Sequence, residues 1–356
     1  MRILVLPADL GGCGYYRLLW AAEHLQSQGH DIVIEPPEEG TGLTLHLEGL
    51  TVTDVVAPEA DVVVMQRIAH FWHPQALPIL RAKGVATVID MDDDLTCIHR
   101  DNTSYANYHP RSNTPFSWKF SEMACREASL VTLSTASLLK VYAKHGRGAV
   151  LDNYVPERYL DIKVDKEPVF GWAGMTTSHP GDLQVCGRAV QDLIQDGYNF
   201  RVIGPPSKVK QNLRLNDEPA YTGKVPIENW TTEISKLAVS MCPLEISPFN
   251  ASKSRLKAVE AAAVGVPWVG SPRTEYRRFH KESGTGILAD RPKDWYQAIK
   301  KLMDDDSLRQ EMGEAGREYM RSQTIEKNSW RWLEAWTRAY DIQRGSKAGT
   351  PATVIA

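Results

Sequence analysis

Cysteine is scarce, apolar runs are short, and neither sign of charge is in excess. The five cysteines, Cys13, Cys97, Cys125, Cys186 and Cys242, are odd in number and widely scattered, with no C-x-x-C spacing. Neither a disulfide framework nor a zinc site follows from such a pattern. No run approaches the ~18 apolar residues that a membrane span needs. The opening MRILVLPADLGG is cut by Pro7 and Asp9 and lacks a small-residue cleavage site. It reads as a buried strand rather than a signal peptide, and the cytoplasm is the expected compartment. Lys plus Arg number 41 against 44 for Asp plus Glu, a net charge of −3. That balance argues against a sequence-blind nucleic-acid coater and leaves a local nucleic-acid contact open.

What is present is the alternation of an α/β protein. At 356 residues the chain suits two domains of common size. Short β-branched runs predict strands at Arg2–Leu6, Asp31–Glu35, Val62–Gln66, Val85–Ile89, Leu130–Leu133 and Ala149–Asn153. A second series follows at Val169–Trp172, Asn199–Ile203, Tyr221–Lys224, Leu237–Cys242, Val266–Val269 and Gly286–Leu288. Between the first two strands, Tyr15–Gln28 is apolar at helical spacing and ends at Gly29. Two successive series predict two facing Rossmann-like domains, with a boundary near Glu157–Pro168. Ligands of open α/β sheets bind outside the carboxyl ends of the strands, so function belongs in the cleft between the domains. The last part is helical, over Pro292–Met303, Ser307–Arg321 and Ile325–Gln343. Ten tryptophans are many for this length, and Trp330, Trp332 and Trp336 share the final helical segment.

The most informative segment is SPFNASKSRLKAVEAAAVGVPWVG, from Ser247. The pattern predicts one helix from about Ser252–Ser254 to Val264, capped by Gly265 and closed by Pro267. Lys253, Lys257 and Glu260 then share one face, and Lys253 in the first turn opposes the helix dipole, as does Glu260 near the end. One explanation is a ligand: a phosphate at the helix N-terminus beside Lys253, with Glu260 deeper in the same site. A solvated helix carrying a Lys257–Glu260 pair fits the same spacing. FGWAGMTTSHPGDL, Phe170–Leu183, adds a strand, a turn around Gly174 and Met175, and an expected helix start offering free N–H groups. His179 reads either as a pocket residue or as a cap before Pro180.

These two segments resemble the donor site of GT-B glycosyltransferases similar to family 4. In that family a helix after the fourth strand of the C-terminal domain carries a Glu that binds the ribose of a nucleotide-sugar. The usual form is E-x7-E; Glu260 matches the second Glu, whereas Ser252 stands at the first. The chain is closer to a variant, FNxxKSxxKxxE, matched by Asn250, Lys253, Ser254, Lys257 and Glu260. The turn resembles G-W-x-G-S-x-x-H-x-x-D-L, with Met175 in place of Ser and with His179, Asp182 and Leu183 one position later than that spacing. The usual Arg and Lys after this turn are not visible, so the resemblance makes Lys253 the principal cation facing the diphosphate, with Glu260 on the nucleoside.

The N-terminal half carries weaker signals. Leu10–Arg17, LGGCGYYR, places Gly12, Gly14 and Arg17 where a glycine-rich loop approaches an acceptor in many GT-B enzymes. It is also a broken dinucleotide fingerprint, with Glu35 at the end of the second strand. Asp90-Met91-Asp92-Asp93-Asp94 ends the fourth strand. Such a carboxylate cluster reads as a metal site, as a catalytic or acceptor-binding group with Asp92 and Asp93 foremost, or as the acidic cap of a helix. The stretch from His99 to Lys119 is expected to be an acceptor-binding loop.

The resemblance implies a glycosyltransferase of GT-B fold, with a nucleotide-diphosphate-sugar as co-substrate, no other cofactor and no metal. It implies a retaining outcome; an inverting one would need Asp93 or Asp92 as base. It further implies an acceptor domain over 1–160 joined by a crossing helix over 325–343, and a donor domain over 161–324; the small, polar composition of 344–356 predicts a mobile tail. The acceptor stays open between a polysaccharide or lipid precursor, a protein and a hydroxylated DNA base. A nucleotide-sugar epimerase of the same fold and a non-catalytic nucleotide-sugar-binding protein are the alternatives.

Overall fold

Short apolar runs become strands that are buried on both faces, as parallel sheets require. The computed structural model describes residues 1–37, 43–56, 58–112 and 116–345. In the first half the strands are β1 (Ile3–Leu6), β2 (Ile32–Ile34), a hairpin of β3 (Leu45–Glu48) and β4 (Thr51–Val55), then β5 (Val62–Gln66), β6 (Ala86–Met91), β7 (Leu130–Leu133) and β8 (Gly148–Val150). In the second half they are β9 (Val169–Ala173), β10 (Asn199–Ile203), β11 (Ala220–Tyr221), β12 (Val239–Cys242), β13 (Trp268–Gly270) and β14 (Ile287–Leu288). Two six-stranded parallel sheets result, ordered β2-β1-β5-β6-β7-β8 and β11-β10-β9-β12-β13-β14. The hairpin, where His46 and Asp54 face each other and no helical crossover intervenes, is absent from the sequence expectation.

Strand order decides where ligands go. In the first sheet the chain leaves β1 for β2 on one side and for β5 on the other. In the second it leaves β9 for β10 on one side and returns to β12 on the other. Loops diverge at both reversals and leave a crevice at the carboxyl ends of the strands.

The final helix explains part of the tryptophan excess. Trp330–Gln343 packs on β5, β6 and β7 of the first sheet, although it follows the second sheet in sequence. Trp332 and Trp336 are fully buried there, and the Trp332 indole donates to the Arg17 carbonyl at 2.6 Å. Burying rings of this size is worth roughly 4–6 kcal/mol each before entropy is counted. Trp330 is no anchor: it is half exposed, with Arg331 over its ring. One apolar cluster runs from Ile3 and Val5 through Tyr16, Trp20 and Tyr159 to Val259 and Trp268, so the two halves share a core. Of the segment 344–356, all but residues 344 and 345 lie outside the described residues. No described helix is long and apolar enough to cross a membrane.

Candidate active site

The single helix expected from Ser252 to Val264 is two helices. Pro248–Ala251 is capped by the Ser247 side chain, and Leu256–Ala263 follows after a turn. Proline at the first helical position starts the short helix, and the Ser-Lys-Ser run, poor in helix propensity, breaks it. Lys253 therefore sits in the turn and not in a first helical turn, and the dipole argument fails for it. The turn is pinned from the first half of the chain. Thr135 Oγ1 donates to the Ser252 carbonyl at 3.0 Å, and Asn153 Nδ2 to Ser254 Oγ at 3.1 Å.

Pinned this way, Lys253 meets the acidic run. Its Nζ lies 2.8 Å from Asp93 Oδ1, with both side chains about four-fifths buried. Burial alone would pull the ammonium down, but Asp93 and Asp92 outweigh it and hold Lys253 above the usual lysine value. Burial likewise pushes the Asp93 carboxyl up, while Lys253 and Arg67 prevail and hold it below the usual range. Arg67 grips both carboxylates: Asp93 Oδ2 at 3.0 Å, and Asp92 through Nε and through Nη2 at 2.9 Å. Its backbone has φ of +50°, a left-handed conformation costing a non-glycine residue about 1–2 kcal/mol. The Arg67 amide offsets part of that by donating to the Asp90 carbonyl at 3.0 Å. Sequence reasoning missed Arg67. Its signal was available, a cation directly after β5 at the carboxyl edge of the sheet.

The acidic run is thus divided by environment. Asp90 is fully buried and forms a two-armed pair with Arg17, at 3.1 and 2.9 Å, with Thr132 donating at 2.7 Å. Asp92 and Asp93 face Arg67 and Lys253, while Asp94 caps the short helix Leu95–Cys97 by accepting from Thr96 N. The expectation that Arg17 binds an acceptor is corrected here. Its side chain is 1% exposed, and its donors are spent on Asp90, Asn153 Oδ1 and the Leu151 carbonyl. A guanidinium in the helix after β1 is drawn inward because a buried carboxylate at the end of β6 needs a partner.

The remaining second-half residues lie around the β9–β12 reversal. Gly174 follows β9 with φ of +152°, and its amide donates to the Ile203 carbonyl at 2.9 Å. A Cβ there would meet the Trp172 ring at 2.9 Å and Lys257 Nζ at 3.1 Å. The α-helix start expected after Gly174 is a set of turns and a 3-10 helix, Asp182–Cys186, so no α-helix N-terminus sits at this point. Met175 is partly exposed. His179 Nδ1 pairs with Asp182 Oδ2 at 2.8 Å, and Asp182 Oδ1 accepts from Asn250 Nδ2 at 2.7 Å and Glu245 N at 3.1 Å. Burial, with Lys257 nearby, lowers the His179 pKa and favours the neutral ring, whose Nδ1 donates to Asp182. His179 and Asn250 are thereby held as one unit beside Lys253.

Lys257 donates to the Ala173 carbonyl at 2.6 Å, and burial lowers its pKa. Glu260, one turn on, is buried and accepts from Tyr16 Oη at 2.7 Å, a bond between the two halves. Burial raises its pKa, opposed by Tyr16 and Lys257. Tyr16 lies in a π-helical stretch, Tyr15–Leu19, the kind of insertion often found at functional sites. Lys253, Lys257 and Glu260 do not form the solvated face that spacing allowed: Lys253 and Glu260 reach Asp93 and Tyr16 of the first half, while Lys257 turns onto the Ala173 carbonyl and the Trp172 ring.

In the first half, Asp9 Oδ1 accepts from Gly11 N and Gly14 N at 2.8 and 3.0 Å. Gly14 is required by packing, since a Cβ there would lie 1.9 Å from the Asp9 carbonyl oxygen, whereas Gly12 faces open space. His99 and Arg67 line different cavities. It lines a cavity of about 590 Å³ with Arg100, Tyr105 and Arg111, and its loop straps the halves together through Asn102 Nδ2 to the Ser178 carbonyl and Thr103 N to the Thr177 carbonyl. A second cavity, of about 600 Å³, opens at the carboxyl ends of β1, β2 and β5, with Asp9, Glu35, Arg67, His70 and His73 in its wall. Among the described residues no three metal-ligating side chains converge.

Comparisons with known proteins bear on the fold that carries this site. Residues 167–305 match the family model described as glycosyl transferases group 1. No curated protein sequence matches the chain. A sucrose-phosphate synthase from Thermosynechococcus elongatus superposes with a TM-score of 0.65 at 14% identity, over 96% of this chain and 99% of that one. AviGT4, a glycosyltransferase of avilamycin A biosynthesis, gives 0.62 at 14% identity, over 99% and 100%. The Anabaena protein HepE, solved with UDP, gives 0.58 at 14% identity, over 95% and 100%. The chain has the GT-B fold, and the part of it that carries the β9–β12 reversal, Lys253 and Glu260 matches group 1 glycosyl transferases.

Proposed function

We propose that the protein is a glycosyltransferase moving a sugar from a nucleotide-diphosphate-sugar to a hydroxyl acceptor. The observation that carries the reading is the meeting of Lys253 from the second half, after β12, with Asp93 from the first, after β6. The second half, about residues 161–324, holds the donor; the first, with the returning helix, holds the acceptor. The UDP in the Anabaena structure makes UDP-sugars the first donors to try.

Breaking the glycosyl C–O bond leaves the electron pair on the departing diphosphate. Lys253 stabilises that charge, and as a diphosphate draws the ammonium away, Asp93 keeps Arg67 alone and becomes more basic. Asp93 then orients the acceptor hydroxyl, with Asp92 held alongside by Arg67; as that oxygen bonds the anomeric carbon, its proton passes to the departing diphosphate oxygen. Gly174 and Met175 let the donor approach the backbone, and His179, Asn250, Ser252 and Ser254 shape the turn around it. Glu260, with Lys257 behind it, receives the ribose hydroxyls. We propose retention of anomeric configuration, read from the product by NMR. Thermal-shift screening of UDP-, GDP- and TDP-sugars, followed by assay of nucleoside diphosphate release, tests the whole reading. Stabilisation by none of them would sink it.

A further inference from the structure

The cavity at the β1–β2–β5 ends has a charge balance that selects among acceptors, an inference resting on the glycosyltransferase reading above. Its volume of about 600 Å³ falls in the range of small-molecule sites. It reaches the reacting groups through Arg67, which lines it and holds Asp92 and Asp93. Its charged wall residues are Asp9, Glu35 and Arg67. Asp92 and Asp93 offset the Arg67 charge through its Nε and Nη2, so among the described residues the wall carries no uncompensated cation to meet a phosphate.

The two histidines in the wall do not supply one. His73 is buried and accepts the His70 N–H on Nδ1 at 3.1 Å, which puts the proton of its neutral ring on Nε2. Burial brings its pKa down to about 4, and burial lowers that of His70 as well. The wall therefore offers carboxylates, neutral imidazole and the Tyr108 phenol. It also offers a flat surface: the His70 ring stacks on Trp72 with centroids 3.9 Å apart and planes 23° from parallel. Carboxylate acceptors for hydroxyl protons beside an aromatic face are what a sugar ring needs, since its hydroxyls donate and its C–H face stacks.

We infer that this cavity takes an uncharged polyhydroxylated acceptor, a sugar ring seated against His70 with its hydroxyls on Asp9 and Glu35, and not a phosphorylated or nucleic-acid acceptor. An anionic group would meet Asp9 and Glu35, with no uncompensated cation among the described wall residues to offset them. Such a mismatch is a working means of rejection.

Saturation-transfer NMR on the full chain tests this, with methyl glucoside and maltose as neutral probes. Glucose 6-phosphate and an oligodeoxynucleotide carrying 5-hydroxymethylcytosine serve as anionic ones. Expected are contacts to the neutral probes alone, weakened about 2- to 10-fold in His70→Ala, as loss of one stacking partner predicts. Glu35→Lys, an exposed position, should admit glucose 6-phosphate. Contact with an anionic probe in the wild type, no contact with either neutral probe, or indifference to His70→Ala overturns the inference. Nucleotide-sugar stabilisation is read separately on the same sample. Its loss sinks the glycosyltransferase reading, whereas its persistence without neutral-sugar contact sinks only the acceptor inference.

Discussion

Lys253 Nζ and Asp93 Oδ1 lie 2.8 Å apart across the junction of the two halves, so the proposed diphosphate cation is held in this structure by a carboxylate of the first half. Donor and carboxylate compete for one ammonium. Lys253→Ala should cut kcat by about a hundredfold or more, in the range of a lost transition-state charge partner. The fold should persist, because Arg67 still holds Asp93. Asp93→Asn should behave differently, lowering kcat while tightening UDP binding, since the competitor is gone. Steady-state kinetics with titration calorimetry would separate the two, and weaker UDP binding in Asp93→Asn would refute the competition.

Tyr16 and Glu260 give a second test. Glu260→Ala should weaken donor binding about tenfold or more, as for a lost hydrogen bond to a charged group. It should also cost about 1–3 kcal/mol of stability, because the Tyr16 hydroxyl is left buried without its acceptor. Adding Tyr16→Phe should recover the stability but not the affinity. Urea unfolding and donor titration of the single and double variants check this, and recovery of both would mean that Glu260 serves only the core.

Arg17 was expected at the acceptor and belongs to the core. Arg17→Met leaves Asp90 buried with Thr132 as its remaining side-chain partner, a change that should cost about 3–5 kcal/mol. Turnover per folded molecule should stay at the wild-type level. Urea unfolding beside an activity assay corrected for the folded fraction would show it, and a loss of kcat at full stability would restore Arg17 to the site.

How legible these features were in the sequence follows from what each depends on. Val62–Gln66 and Leu130–Leu133 match their expected limits because a parallel strand buried on both faces is a continuous apolar run. The β3–β4 hairpin was missed because its burial is partial and its pattern weak. Lys253 and Glu260 could be singled out as residues needing a ligand or partner, but the break between the helices depends on Thr135 and Asn153, which lie far away in sequence. The same holds for Arg17 against Asp90 and for Arg67 against Asp92. Which of several aspartates a buried arginine selects is settled by strand order, and strand order is not written in local pattern.

His73 supplies a prediction on acid stability. Its folded pKa is down at about 4 through burial, against ~6.5 in an unfolded chain. Between those values the unfolded chain holds a proton that the folded protein refuses, so stability falls as pH drops below ~6.5. The loss levels off near pH 4, where His73 is charged in both states, and amounts to at most about 3 kcal/mol. His73→Asn keeps an acceptor for the His70 N–H and carries no titrating ring. The variant should lose this component and show a flatter stability profile between pH 6.5 and 4. Urea unfolding at pH 7 and pH 4.5 measures it, and an equal drop in both proteins would place the acid sensitivity elsewhere.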